Sequence, residues 1–181
     1  MGIQLRRKPA GGYTLVEVLV TVTIMGIAGS VVIPSMSGAG ALRIQAGVRT
    51  VVADINFAQM DALAYQEPRG IVFDEEANSY TIVQVFGDAI DPEADALYDP
   101  RGPGERYRVN LNDRDFGGAR LSAVDLNGGN VLIFDEIGGP VASPGSDNLS
   151  SGGSLELEGP QGRFRINVAA FSGRVTVTQL D

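Results

Sequence analysis

From Tyr13 to Ile33 the chain reads YTLVEVLVTVTIMGIAGSVVI, with a single charge at Glu17 and no proline. A run this apolar is greasy on every face of a helix, and at 1.5 Å per residue it extends about 31 Å, close to the hydrocarbon thickness of a bilayer. The spacing predicts a membrane-spanning helix over 13–33. Beyond Pro34 the pattern changes. Gly38, Gly40 and Gly47 make a poor helix at the join, so local melting or bending is expected there. From Leu42 apolar residues return at three- and four-residue intervals, at Ile44, Val48, Val51, Val52, Ile55, Ala58, Ala62 and Leu63, while Arg49, Asn56, Gln59 and Asp61 fall mostly elsewhere. That is the stripe of an amphipathic helix packed on a core. Pro68 disfavours helical geometry at Glu67, so the helix should end near Tyr65 or Gln66.

After Pro68 the period falls to two. Ile71-Val72-Phe73 and Tyr80 to Phe86 flank a turn at Asn78-Ser79 and predict a hairpin. Arg106 to Leu111 and Arg163 to Val168 alternate strictly and predict half-buried strands with arginine on the wet face. Val131 to Phe134 is apolar throughout and should be buried on both faces. Leu155-Glu156-Leu157 and Val175 to Thr178 bring the expectation to about eight strands, separated by Gly, Pro and Ser clusters. With no helical pattern after Pro68, an α+β fold of antiparallel sheets packed on one long N-terminal helix follows. Gly138 to Gly153, nearly devoid of apolar residues, is expected as a mobile surface loop and a candidate partner contact.

Charge orients the first segment. Arg6, Arg7 and Lys8 precede it with no acid, so the positive-inside rule places the N-terminus in the cytoplasm and the remainder outside. Composition narrows the chemistry further. The 181 residues include no Cys and no His, which removes thiol nucleophiles, imidazole acid–base schemes and Cys/His zinc sites. A net charge of −8 is the wrong sign for a general binder of phosphate backbones. Gly128-Gly129 and Gly152-Gly153 lack the spacing of a phosphate loop, and the one lysine, Lys8, is far from both. Acid pairs such as Asp74/Glu75 and Glu156/Glu158 come freely in so acidic a chain, and no enzyme activity is expected. Asp88, Asp91, Glu93 and Asp95, with Asp99 behind them, form an acidic stretch of the ligand type that Ca²⁺ prefers, but without the spacing of a calcium loop. It is read first as a solvated loop, with Ca²⁺ as the single cofactor to test.

The apolar segment admits three readings. A secretory signal peptide would use Ala39-Gly40-Ala41 as its cleavage site, but its apolar region is normally shorter. A plain anchor explains the length and leaves Glu17 without purpose. An acid inside an apolar span calls for a function and a partner.

Gly12-Tyr13-Thr14-Leu15-Val16-Glu17, after a short basic leader, resembles the prepilin signal of type IV pilins and type II secretion pseudopilins. The resemblance implies that a prepilin peptidase cuts between Gly12 and Tyr13 and methylates the new Tyr13 amine. Glu17 then falls fifth in the mature chain, where it would pair with a neighbour's amine during assembly, and Pro34 matches the helix-kinking proline. Tyr13 stands where Phe is commoner. Val51 to Asp74, Phe134-Asp135-Glu136-Ile137-Gly138-Gly139 and Phe171-Ser172-Gly173-Arg174-Val175-Thr176-Val177 further resemble the GspH/FimT family of minor pseudopilins and minor pilins.

The implied organisation is a leader at 1–12, a transmembrane and fibre-core helix at 13–33, an amphipathic continuation at 34–67 and a β-rich domain at 68–181. The implied partners are other pseudopilins or pilins, the peptidase, an inner-membrane assembly platform and membrane lipid, with the domain in the periplasm. A GspH-like pseudopilin is the leading expectation, and a FimT/FimU-like minor pilin serving pilus priming, adhesion or DNA uptake is the alternative. DNA-binding FimT proteins resemble one another in a Gly-Arg-x-Arg element; here Thr176 replaces its second arginine, so nucleic acid is not the expected partner. A local basic patch of Arg163, Arg165 and Arg174 is the feature that would reverse that expectation.

Overall fold

The structure, a computed structural model, describes residues 12–160 and 162–180, with the backbone alone over 30–41. One α-helix, α1, runs Leu15–Tyr65. Among the described residues nine strands follow: β1 Arg69–Asp74, β2 Ser79–Gln84, β3 Arg108–Asn110, β4 Arg120–Leu126, β5 Val131–Phe134, β6 Pro140–Val141, β7 Gly153–Gly159, β8 Gly162–Val168 and β9 Val175–Leu180. They form a five-stranded sheet in the order β3-β2-β1-β5-β6 and a four-stranded sheet in the order β4-β7-β8-β9. Every pairing within the two sheets is antiparallel. The chain divides into two compact units, Met1–Gly38 and Ala39–Asp181.

In the second unit, Ile44, Val48, Val51, Ile55, Ala58 and Ala62 are buried at alternating steps of four and three residues, the period of a helix seam. They share one core with Ile71, Phe73, Tyr80, Ile82, Leu132 and Phe134 of the first sheet and Leu121, Leu155, Leu157, Ile166 and Val168 of the second. Leu63, expected on the stripe, is exposed. The expected melting at the glycines does not occur, since the backbone is helical across Gly38, Gly40 and Gly47. Gly47 is buried where α1 faces Leu157 of the second sheet, and a Cβ there would stand in ordinary contact with Leu157 at 3.4 Å and Ala119 at 3.5 Å. The expected kink at Pro34 falls in 30–41 and lies outside the fully described residues.

The helix stops where Pro68 requires. Gln66 turns to φ 54 and the Glu67 N–H reaches the Ala62 carbonyl at 3.2 Å. The predicted hairpin is β1–β2. At its turn Asn78, in left-handed geometry, also binds the second sheet: its amide donates to Ala119 O at 3.0 Å and its oxygen accepts from Leu121 N at 2.7 Å. The first sheet carries a smaller apolar layer on its other face, where Val83, Val85, Ile133 and Val141 pack with Ile90.

Two strands were not anticipated. β6 lies inside the stretch expected as a mobile loop. Pro140 and Val141 are buried against Phe134 and Ile133, and Val141 bridges Leu149, so this segment is tied down despite its composition. β4 carries a register shift between Ser122 and Asp125, with Ala123 at φ 47.

Candidate functional site

The start of α1 builds the first candidate from local chemistry. Thr14 precedes the helix and its Oγ1 accepts the N–H of Glu17 at 3.2 Å, while the Val18 N–H reaches the Thr14 carbonyl at 3.2 Å. Thr14-x-x-Glu17 is thus the Thr/Glu pattern of a capping box, and Glu17 occupies the first turn, where the helix dipole favours a negative charge. Gly12, Tyr13 and Glu17 are all exposed. So is the apolar surface around them, from Leu15 at 82% to Val20 at 47%, through Val22, Ile24, Met25 and Ile27. The Thr21 hydroxyl donates to Glu17 O at 2.8 Å and that of Thr23 to Leu19 O at 2.7 Å, so both hydroxyl protons are spent on the helix's own backbone. Among the described residues no helix is long and apolar enough to cross a membrane; the expected span at 13–33 extends past Gly29 into residues whose side chains lie outside the description.

In the second unit the three stretches that resemble the GspH/FimT family meet at one residue. Gln59, outside the buried stripe, donates from Nε2 to Gly138 O at 2.7 Å and to Ser172 O at 3.1 Å. Gly173, at φ 65, has no room for a side chain: a Cβ would stand 2.9 Å from Gln59 Nε2 and 2.9 Å from Phe134 Cε1. Phe134, Gly138 and Gly173 therefore close two turns onto α1.

The acidic stretch is occupied by its own contacts. Asp91 Oδ1 accepts the N–H of Glu93 at 2.9 Å, and Asp95 Oδ2 accepts that of Asp91 at 2.7 Å. Glu93 bridges Arg106 at 2.6 Å and Arg108, whose hydrogen bond and charge hold its carboxyl below the ordinary value. Asp88 is exposed. Among the described residues no three acidic side chains converge as a metal cage. The arginines are likewise engaged. Arg165 pairs with Glu156 at 2.7 Å, and Arg163 reaches Glu158 at 3.4 Å and Glu156 at 3.7 Å, leaving Arg174 alone of the three without an ion pair among the described residues. The row on β7 and β8 is charge-balanced and is no basic patch.

Sequence reasoning missed two buried polar clusters. Asp54 is 7% exposed and accepts hydrogen bonds from Tyr80 at 2.5 Å and Tyr107 at 2.9 Å. Burial lifts its carboxyl above the ordinary value, against the pull of the two phenols, and burial beside Asp54 pushes both phenols up. The signal was present, because position 54 falls on the helix face of Val51 and Ala58. At the helix-to-β1 junction Arg69, 4% exposed, pairs with Asp61 at 2.6 Å and Glu67 at 3.2 Å and covers the Tyr65 ring.

Comparison with known proteins fits both halves of this description. A family model described as the prokaryotic N-terminal methylation motif matches residues 7–33. No curated protein sequence matches the chain. Among solved structures, the minor pseudopilin EpsH from the Type 2 Secretion System of Vibrio cholerae matches with a TM-score of 0.50 at 10% identity, over 76% of this chain and 97% of its own. The chain thus carries an N-terminal methylation motif ahead of a helix-plus-sheets domain with a pilin-like α+β fold. Within that class, the solved fold it shares is that of a minor pseudopilin.

Proposed function

We propose that this chain is a structural subunit, a minor pseudopilin of a type II secretion system, anchored in the inner membrane with its β-domain in the periplasm and assembling into the pseudopilus. The observation that carries this reading is the methylation motif set directly on a helix with apolar side chains exposed on all sides. Cleavage between Gly12 and Tyr13 removes three of the 14 basic side chains and none of the 22 acidic ones, and creates an amine two residues before α1. In an apolar surround, the Glu17 carboxylate and that amine are each costly alone and far less so when paired between neighbouring subunits. One such pair per subunit fixes the axial register of the fibre. No step of this role asks the chain for catalysis; it acts by filling space and bearing load.

A FimT/FimU-like minor pilin shares the same motif and processing, and is the second reading. The balanced Arg163–Glu158 and Arg165–Glu156 row speaks against its DNA-uptake branch. Mass and N-terminal sequencing of the protein from its host's membranes test the common core: a chain beginning at methylated Tyr13 is expected, and a soluble chain beginning at Leu42 would overturn both readings. Deleting the gene then separates them, with loss of protein secretion expected here and loss of pili expected of a minor pilin.

A further inference from the structure

Asp54 sits at the seam between α1 and the first sheet with no cation to balance it. Among the described residues it has no ion pair, and the formal charge that acts on it is a like one, Asp99. Its two oxygens are matched one to one by phenols, Oδ2 by Tyr80 and Oδ1 by Tyr107. The three groups differ in their access to water. Tyr80 is 1% and Asp54 7% exposed, whereas Tyr107 is half-buried.

Tyr107 also closes a flap. Over 97–107 the chain doubles back, with the Asp99 N–H on Glu105 O at 3.0 Å and the Tyr107 N–H on Leu97 O at 2.7 Å. Backbone bonds of Leu97 and Tyr107 to Ile82 join the flap to β2. Among the described residues, its hydrogen bond to α1 is the one from the Tyr107 phenol to Asp54, and the Tyr107 ring stacks on Phe57 at 5.3 Å.

Counting protons gives this cluster two states. With Asp54 ionised, two donors meet two acceptor oxygens. With Asp54 protonated, three hydroxyl protons share two oxygen–oxygen contacts, and one proton has no acceptor inside the cluster. The surplus falls to Tyr107, the member with access to water. We propose that Asp54, Tyr80 and Tyr107 form a proton-operated clamp, which holds the 97–107 flap on α1 when Asp54 is ionised and slackens it when Asp54 takes up a proton. Linkage gives the sign. The Tyr107 bond pulls the Asp54 carboxyl down, so proton uptake weakens that bond by the same factor. Burial acts the other way and more strongly, so the event falls above the ordinary carboxylate value and the fold as a whole favours the neutral acid. Replacing a charge-assisted bond by a neutral one loosens the flap by roughly fivefold to tenfold. The clamp lies wholly in the second unit and is independent of the secretion reading.

The full-length protein in detergent micelles, labelled with heavy carbon at tyrosine Cζ and aspartate Cγ, is titrated by NMR from about pH 7 to about pH 4. Asp54→Asn and Tyr107→Phe assign the two signals by their loss. The Tyr107 signal is expected to move with the midpoint of Asp54. Across that midpoint amide exchange in 97–107, corrected for the intrinsic pH dependence, should rise roughly fivefold to tenfold while that of β7 and β8 holds. Asp54→Asn replaces one acceptor oxygen by a donor, so its flap should exchange at the acid-form rate throughout, and Tyr107→Phe should remove the step. A Tyr107 signal that ignores Asp54, flap exchange with no step at the midpoint, or an Asp54→Asn flap as protected as the parent at neutral pH would each overturn the proposal. Parent-like exchange in β7 and β8 shows that the variants are folded.

Discussion

The two units of this chain treat apolar side chains in opposite ways. In Ala39–Asp181 a helix and two sheets bury an apolar core, and three buried polar groups beside it have partners: Asp54 has two phenols, Arg69 has Asp61 and Glu67, and Asn78 ties a turn to the facing sheet. In the first unit the described apolar residues from Leu15 to Ile27 are exposed around the helix, and the acid at Glu17 has no side-chain ion pair among the described residues. One region supplies its own solvent-excluding surroundings. The other leaves its apolar surface uncovered, and under the proposed function lipid or neighbouring helices cover it.

The sharpest way to break that comparison is at Glu17. Glu17→Ala should abolish co-purification of the chain with its fibre partners, a loss of tenfold or more, while the thermal unfolding of the β-domain is unchanged. Unimpaired co-purification would sink the assembly role. Next in size, the closure of the second unit on Gln59 is tested by Gly173→Val, which adds left-handed strain to a collision with Gln59 and Phe134. A destabilisation of about 3 kcal/mol is expected in denaturant unfolding. Gly128→Ala, also at positive φ but with nothing within 4 Å, should cost about 1 kcal/mol. Equal costs would show that packing at Gly173 contributes nothing.

The smallest expected effect concerns Asp54. Its folded carboxyl sits above the ordinary value of 3.8, so the folded state holds the proton more tightly and stability falls as pH rises above that value. Glu93, displaced downward, works the other way: its contribution is present above the ordinary value and is lost as pH falls through the folded one. Asp54→Asn leaves Glu93 in place, so the stability of the parent minus that of the variant isolates Asp54 and should decrease from about pH 4 towards neutrality. A flat difference would refute the assignment.

Much of this organisation was legible in the sequence. The helix seam from Ile44 to Ala62, its end at Tyr65, the β1–β2 hairpin and the alternating β8 all followed from period and proline. β4 did not, and its bulge explains why: Leu121 and Leu126 both face the core although they differ in parity, because the extra residue near Ala123 resets the alternation. β6 escaped because two residues carry no period, and only the neighbouring Ile133 and Phe134 make them a strand. Of the candidate site, the motif at Gly12 to Glu17 was legible as local spacing. The convergence of Gly138 and Ser172 on Gln59 spans 79 and 113 residues of sequence and depends on the closed fold.

The back-bonded hydroxyls of Thr21 and Thr23 carry a mechanical consequence. With their protons turned onto the helix's own carbonyls, they offer a neighbouring helix no free hydroxyl donor, and the contacts left to the described surface from Leu15 to Ile27 are mainly apolar. In the proposed fibre, Glu17 would act as a detent: subunits would glide until one carboxylate finds one amine, and a single residue would set the position where motion stops.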